Sequence, residues 1–218
     1  MYLMQVLDII FYVLILLFSI VIHEVSHGLM ARKLGDKTAE HEGRLTLNPI
    51  SHIDPLGSII LPLLLVISHS PFLIGWAKPV PYNPYNFFDK PWIRKWGEAL
   101  VAFAGPLSNI TILIAFGLFL RFFTQIVAVL PFLSFFTPAV SLISTIVLVN
   151  IVLAVFNLVP IPPLDGSKIL FAILPHSMYE VREFLERYSL FLSLFFIFFL
   201  WQYLSPLITF FYYLVVGI

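Results

Sequence analysis

His23, Glu24 and His27 stand in the order His-Glu-x-x-His within "SIVIHEVSHGLM", residues 19–30. On a helix, residues four apart share a face and lie about 6 Å apart along the axis. Two imidazoles so placed can grip one metal ion. Glu24, one residue on, is placed to reach a water beside the metal and not the metal itself. The run around them is apolar and long enough to cross a bilayer. Ionisable groups at the centre of such a helix cost roughly 2.5–3.5 kcal/mol each on insertion scales. A histidine facing a cavity with a paired glutamate would leave the spacing unexplained; a metal accounts for spacing and burial together.

Catalytic zinc takes three protein ligands and keeps one open position. The chain has no cysteine, which excludes a thiolate ligand, a thiol nucleophile and disulfides. The candidates are His41, His52, His69, His176 and the acidic residues. Asp165 stands out, in "FNLVPIPPLDGSKIL", residues 156–170. Pro160, Pro162 and Pro163 cannot continue a helix. The chain must be extended there, and Gly166 allows a sharp turn back toward His23 and His27. Aspartate is also a good N-cap, here for a helix beginning at Ser167, and spacing alone leaves both readings open. His52 and Asp54 in "NPISHIDPLG", with His41 nearby, form a weaker second polar site; a turn with satisfied hydrogen bonds is the stronger reading. Asn109 in "AGPLSN" and Asn150 read as packing residues, with Gly105 and Ser108 as small contacts between helices. His69 and His176 carry no usable signal.

The elements that must position these residues follow from composition. Of 218 residues, 60% are hydrophobic and 11% charged, against roughly 25% charged in a soluble domain. Net charge is zero, so no basic surface points to nucleic acid. The first apolar run is too long for a cleaved signal and has no basic start. The expectation is an all-α polytopic membrane protein, one domain over residues 1–218 with a core at 4–166 and a C-terminal span and tail at 189–218. Runs of roughly 20 apolar residues mark spans: 4–31, 97–122, 138–159, and 189–204 continuing past Pro206. A fifth run, 57–75, carries Pro62, His69 and Pro71 between Gly57 and Gly75. Arg32, Lys33, Lys37 and Arg44 precede it; Lys78, Lys90, Arg94 and Lys95 follow it. Both flanks therefore prefer the cytoplasm, and a re-entrant or hairpin element between the first two spans is expected. The loop 124–137 has no charge and reads as external, which places both termini outside. From Arg32 inward, His27 lies roughly 7 Å deep and His23 roughly 13 Å, nearer the cytoplasmic side.

The motifs HExxH and "NLVPIPPLDG" resemble those of the site-2 proteases, a family of intramembrane zinc metalloproteases. "EGRLTLNPISHIDPLGSI", "GWAKPVPYNP" and "AGPLSN" are similar to the small prokaryotic members, so the resemblance runs over about residues 20–170. It implies one Zn²⁺ per chain, with Asp165 as third ligand beside His23 and His27. It implies Glu24 as the catalytic acid–base, and it matches Asn157 to a family asparagine that could bond substrate backbone or the developing oxyanion. The partners implied are a membrane protein with a transmembrane segment and the lipid bilayer of a prokaryotic cytoplasmic membrane; nucleic acid is not expected. The chain departs from the larger members in having no PDZ insertion, no CBS appendage and no span before the HExxH helix. That bears on how substrates are selected. Two other functions compete: a zinc-binding transporter, which has no need for Glu24 beside the histidine pair, and a non-catalytic binder of membrane segments, which has no need for an intact HExxH and LDG.

Overall fold

The computed structural model describes residues 2–68 and 76–217. Among these residues the regular structure is helical, without a β-strand. The elements in chain order are α1 (Tyr2–Lys33), α2 (Thr38–His41), α3 (Leu61–Ile67), α4 (Pro91–Val129), α5 (Thr137–Asn157), α6 (Asp165–Ile173), α7 (Tyr179–Arg187), α8 (Ser189–Phe195) and α9 (Ser205–Val216). Four stretches are long and apolar enough to cross a bilayer: Leu7–Lys33, Pro91–Val127, Ala139–Asn157 and Ser189–Val216. They correspond to the four runs read from the sequence. α4 starts at Pro91 and not at Gly97, because proline at the first helical turn needs no donor there. The last span passes Pro206 by placing it in the first turn of α9, after a π turn at Phe196–Leu200 and a 3₁₀ turn at Trp201–Leu204.

α1 and α4 meet at one face of the bundle. Phe88 N–H donates to Leu34 O at 2.7 Å. The Asp36 carboxylate accepts from Asn83 N–H at 2.7 Å and from Asn86 Nδ2 at 2.9 Å. The C-terminal end of α1 and the N-terminal end of α4 are thus neighbours, with Ala31, Leu34, Ile93 and Val101 buried between them. At the opposite end of α4, Arg121 donates to Leu214 O at 3.5 Å, and Gly217 closes α9 with φ of 79°. Leu113, Leu120, Val147, Ile151 and Val216 pack α4, α5 and α9 together there.

The described ends of the 57–75 element lie side by side. Trp76 N–H donates to Gly57 O at 3.2 Å, and Ser58 Oγ donates to Trp76 O at 2.7 Å. A Cβ on Gly57 would sit 2.2 Å from the Trp76 ring, so only glycine allows this approach. A π turn at Pro55–Ile60 runs directly into α3; together, at about 1.5 Å per residue, they reach about 20 Å at most, short of the roughly 30 Å of a bilayer core. Residues 69–75, His69 among them, lie outside the described residues.

Candidate metal centre

The helical spacing in α1 puts the His23 and His27 rings 4.7 Å apart, edge to face. Asp165 reaches them by the proline break. α5 ends at Asn157, the Pro162–Pro163 bond is cis, and Leu164 is extended as the residue before α6. Gly166 is packed so closely that a Cβ would lie 2.2 Å from Leu158 O. α6 begins at Asp165 itself and not at Ser167, so Leu164 and not Asp165 occupies the cap position. Asp165 Oδ2 lies 3.1 Å from His23 Nε2 and 3.4 Å from His27 Nε2.

The neighbours of the two rings fix which nitrogen carries the proton. His27 Nδ1 lies 2.7 Å from Val101 O. A carbonyl only accepts, so Nδ1–H donates, and the neutral ring carries its lone pair on Nε2. His23 Nδ1 lies 2.6 Å from Asn109 Oδ1. Asn109 Nδ2 donates to Asn150 Oδ1 at 2.9 Å, and Asn150 Nδ2 donates to Ser19 Oγ at 3.0 Å and to Ile146 O at 2.8 Å. The Ile146 carbonyl orients the Asn150 amide, which orients Asn109, which leaves His23 Nδ1 as donor and Nε2 as acceptor. Asn109 and Asn150 are both fully buried.

Two Nε2 lone pairs and Asp165 Oδ2 therefore converge, all within 4.8 Å of one another. Asp165 Oδ2 is buried and has no hydrogen-bond partner. With both rings neutral, three acceptors face one another there, an arrangement that suits a cation. Two ligands at about 2.0–2.1 Å from a tetrahedral zinc stand about 3.3 Å apart, and the observed contacts of 3.1 and 3.4 Å bracket that separation. Gly105 of α4 closes the back of the cluster. A Cβ there would meet His27 Nε2 at 2.5 Å and His23 Nε2 at 2.6 Å.

Glu24 stands apart from this cluster, its Oε2 accepting Val80 N–H at 2.9 Å. Asn157 Nδ2 donates to Leu153 O at 3.0 Å, within α5. His52 and Asp54 face different partners. His52 is buried with Nε2 on Thr46 O at 2.9 Å, while Asp54 caps Leu56 N–H at 2.9 Å and Gly57 N–H at 2.7 Å. His41 is exposed on α2. Among the described residues, His23, His27 and Asp165 are the one group of histidine and acidic side chains close enough to share an ion. Tyr82 packs against Phe87, and its hydroxyl is pushed up to about 12 by burial and by the Glu98 and Asp165 carboxylates, so it stays a neutral donor. Sequence reading put Asn109 and Asn150 down to packing. Their isolation in apolar spans was the available signal, because a buried amide must find partners.

A sequence profile of peptidase family M50 matches residues 11–200. The chain belongs to peptidase family M50. YwhC of Bacillus subtilis (strain 168), which carries the name of a zinc metalloprotease, is 38% identical over 195 residues, covering 89% of this chain and 80% of YwhC. Rip2 of Mycolicibacterium smegmatis, named in the same way, is 29% identical over 168 residues. That match covers 77% of this chain and 57% of Rip2, so the chain accounts for little more than half of Rip2's length. No solved structure matches. As a member of family M50, the site-2 proteases, the chain is an integral-membrane metallopeptidase.

Proposed function

We propose that His23, His27 and Asp165 hold one Zn²⁺ and that Glu24 is the acid–base group for hydrolysing peptide bonds within or near transmembrane segments. The observation that carries this reading is the convergence of two imidazole Nε2 atoms and a buried carboxylate oxygen within 4.8 Å of one another, beside a glutamate that stays off the cluster. A zinc ion bound there supplies Lewis acidity, making water nucleophilic near neutral pH and polarising a carbonyl. Asn109 and the Val101 carbonyl orient the two imidazoles and fix their tautomers. Glu24 keeps one oxygen on Val80 N–H, and the other is left to take the proton of the attacking water and hand it to the departing amine. Asn157 gives one amide hydrogen to Leu153 O; its second is left for a substrate carbonyl or the developing oxyanion.

The orientation follows from charge. Lys33, Lys37, Lys90, Arg94 and Lys95 lie around the face where α1 ends and α4 begins. That face is cytoplasmic by the distribution of lysine and arginine, and both chain ends point outside. The segment 57–75 has basic flanks on both sides and ends joined by the Trp76–Gly57 hydrogen bond, which favours a re-entrant path. Cysteines at Lys37, Lys90 and Arg182 will label from the cytoplasm and one at Thr124 from outside; opposite labelling of Lys37 and Lys90 makes the segment a full span. The function itself is tested by comparing membrane proteomes of cells carrying wild-type protein and Glu24→Gln. Intact membrane proteins will accumulate in the variant; identical proteomes contradict the proposal.

A further inference from the structure

The extended segment that holds Glu24 is itself gripped from behind. Lys78, Val80 and Asn83 each precede a proline, which drives all three toward extended backbone. Four backbone donors of this stretch are spoken for. Trp76 N–H goes to Gly57 O, Lys78 N–H to His52 O at 2.9 Å, Val80 N–H to Glu24 Oε2 at 2.9 Å and Asn83 N–H to Asp36 Oδ2 at 2.7 Å. Pro79 and Pro81 have no N–H, so Val80 supplies the one backbone donor across 79–81. Glu24 receives it.

Arg44 lies on the other side of that peptide. It is only 6% exposed, and its Nη2 donates to Lys78 O at 2.8 Å and Pro79 O at 3.3 Å. The Pro79 carbonyl and the Val80 N–H belong to one planar trans peptide, with oxygen and hydrogen on opposite edges. A cation on the oxygen and a carboxylate on the hydrogen thus share a rigid unit, and each polarises it toward the other. Gly28, one turn after Glu24, makes the room: a Cβ there would meet Leu45 Cδ2 at 2.5 Å and Val80 Cγ1 at 2.8 Å. The side-chain partners of Arg44 among the described residues are carbonyls, and its Nε is buried without one. A buried cation held so is weak support for stability. Its shorter contact holds the carbonyl of the preceding peptide and its longer one the peptide that faces Glu24, so both fix the path of residues 78–80.

We infer that Arg44 is a positioning residue for Glu24, acting through the Pro79–Val80 peptide; this rests on Glu24 being the acid–base group. Hydrogen exchange on the full-length protein in nanodiscs reads the link directly, because Val80 is the lone exchangeable amide between Lys78 and Tyr82. Losing one such bond opens the amide by about tenfold or more. That rise is expected in Arg44→Met and, as the reference, in Glu24→Ala. Zinc content of Arg44→Met stays at the wild-type level, since its ligands are untouched. With a quenched fluorescent transmembrane peptide that the wild type cuts, kcat falls about tenfold at unchanged KM. Arg44→Lys, which keeps a donor for the Pro79 carbonyl, recovers part of both effects, and it carries the test if Arg44→Met does not fold. Unchanged Val80 exchange, loss of zinc, or an effect confined to KM overturns the inference. If Glu24→Gln still cuts the peptide, the acid–base reading fails instead, while Val80 exchange continues to report on the Arg44 contact.

Discussion

Two buried polar clusters flank the last turns of α1, and they are built on opposite rules. At Asp36, just beyond the helix, a carboxylate meets only donors: Thr38 N–H at 3.1 Å, Thr38 Oγ at 2.6 Å, Asn83 N–H at 2.7 Å and Asn86 Nδ2 at 2.9 Å. At the candidate metal centre, a carboxylate oxygen meets the Nε2 atoms of His23 and His27, whose Nδ1 atoms are bonded elsewhere. The first cluster is complete as it stands and ties the α1–α2 turn to the approach to α4. The second groups its atoms as a bound cation would need them. A satisfied buried carboxylate marks structure, whereas a convergent unsatisfied one marks a site.

The contrast is broken most severely by Asp165→Ala. Zinc content of the purified protein will fall from one per chain toward zero, and hydrolysis will drop by about a thousandfold or more, since a two-histidine site lacks the third ligand that catalytic zinc requires. Wild-type zinc in this variant would make Asp165 a bystander. Asn109→Leu is the next largest. It leaves the His23 Nδ1–H and the Asn150 Oδ1 unpaired, so zinc affinity measured by competition with a chelator will weaken by about 10–100-fold. An unchanged affinity would reduce Asn109 to packing.

Asp36→Asn sharpens the comparison from the other side, with the smallest effect. It will lower stability by about 1–3 kcal/mol without touching zinc content. Burial raises the Asp36 carboxyl, but the hydrogen bonds from Thr38, Asn86 and Asn83 outweigh it and hold the group below its ordinary value. Its stabilising contribution is therefore complete above the unfolded value of about 3.9 and is lost as pH falls through the depressed folded value. The wild type will lose more melting temperature between pH 7 and pH 3 than Asp36→Asn does. Equal losses would show that Asp36 does not carry this linkage.

Much of this was legible before the fold. The i, i+4 histidines and the four apolar runs depend on local spacing, which sequence states directly. Asp165 stayed ambiguous between cap and ligand because its partners lie more than a hundred residues away and only the proline-broken turn brings them together. Gly105 read correctly as a small contact residue, but what it makes room for, the two imidazoles, is a tertiary fact. Asn109 and Asn150 were taken for packing because the direction of an amide is set by its neighbours, here ending at the Ile146 carbonyl. Arg44 read only as a basic flank; its burial against the Lys78 and Pro79 carbonyls depends on the path of residues 76–83.

The ligand set is tested most directly by zinc X-ray absorption on the purified full-length protein. The account predicts two imidazole nitrogens and oxygen donors at about 2.0–2.2 Å, without sulfur, and a drop to trace zinc when Asp165 is replaced by alanine. A spectrum that requires a third imidazole, or one that keeps its zinc and its oxygen shell unchanged in Asp165→Ala, would contradict it.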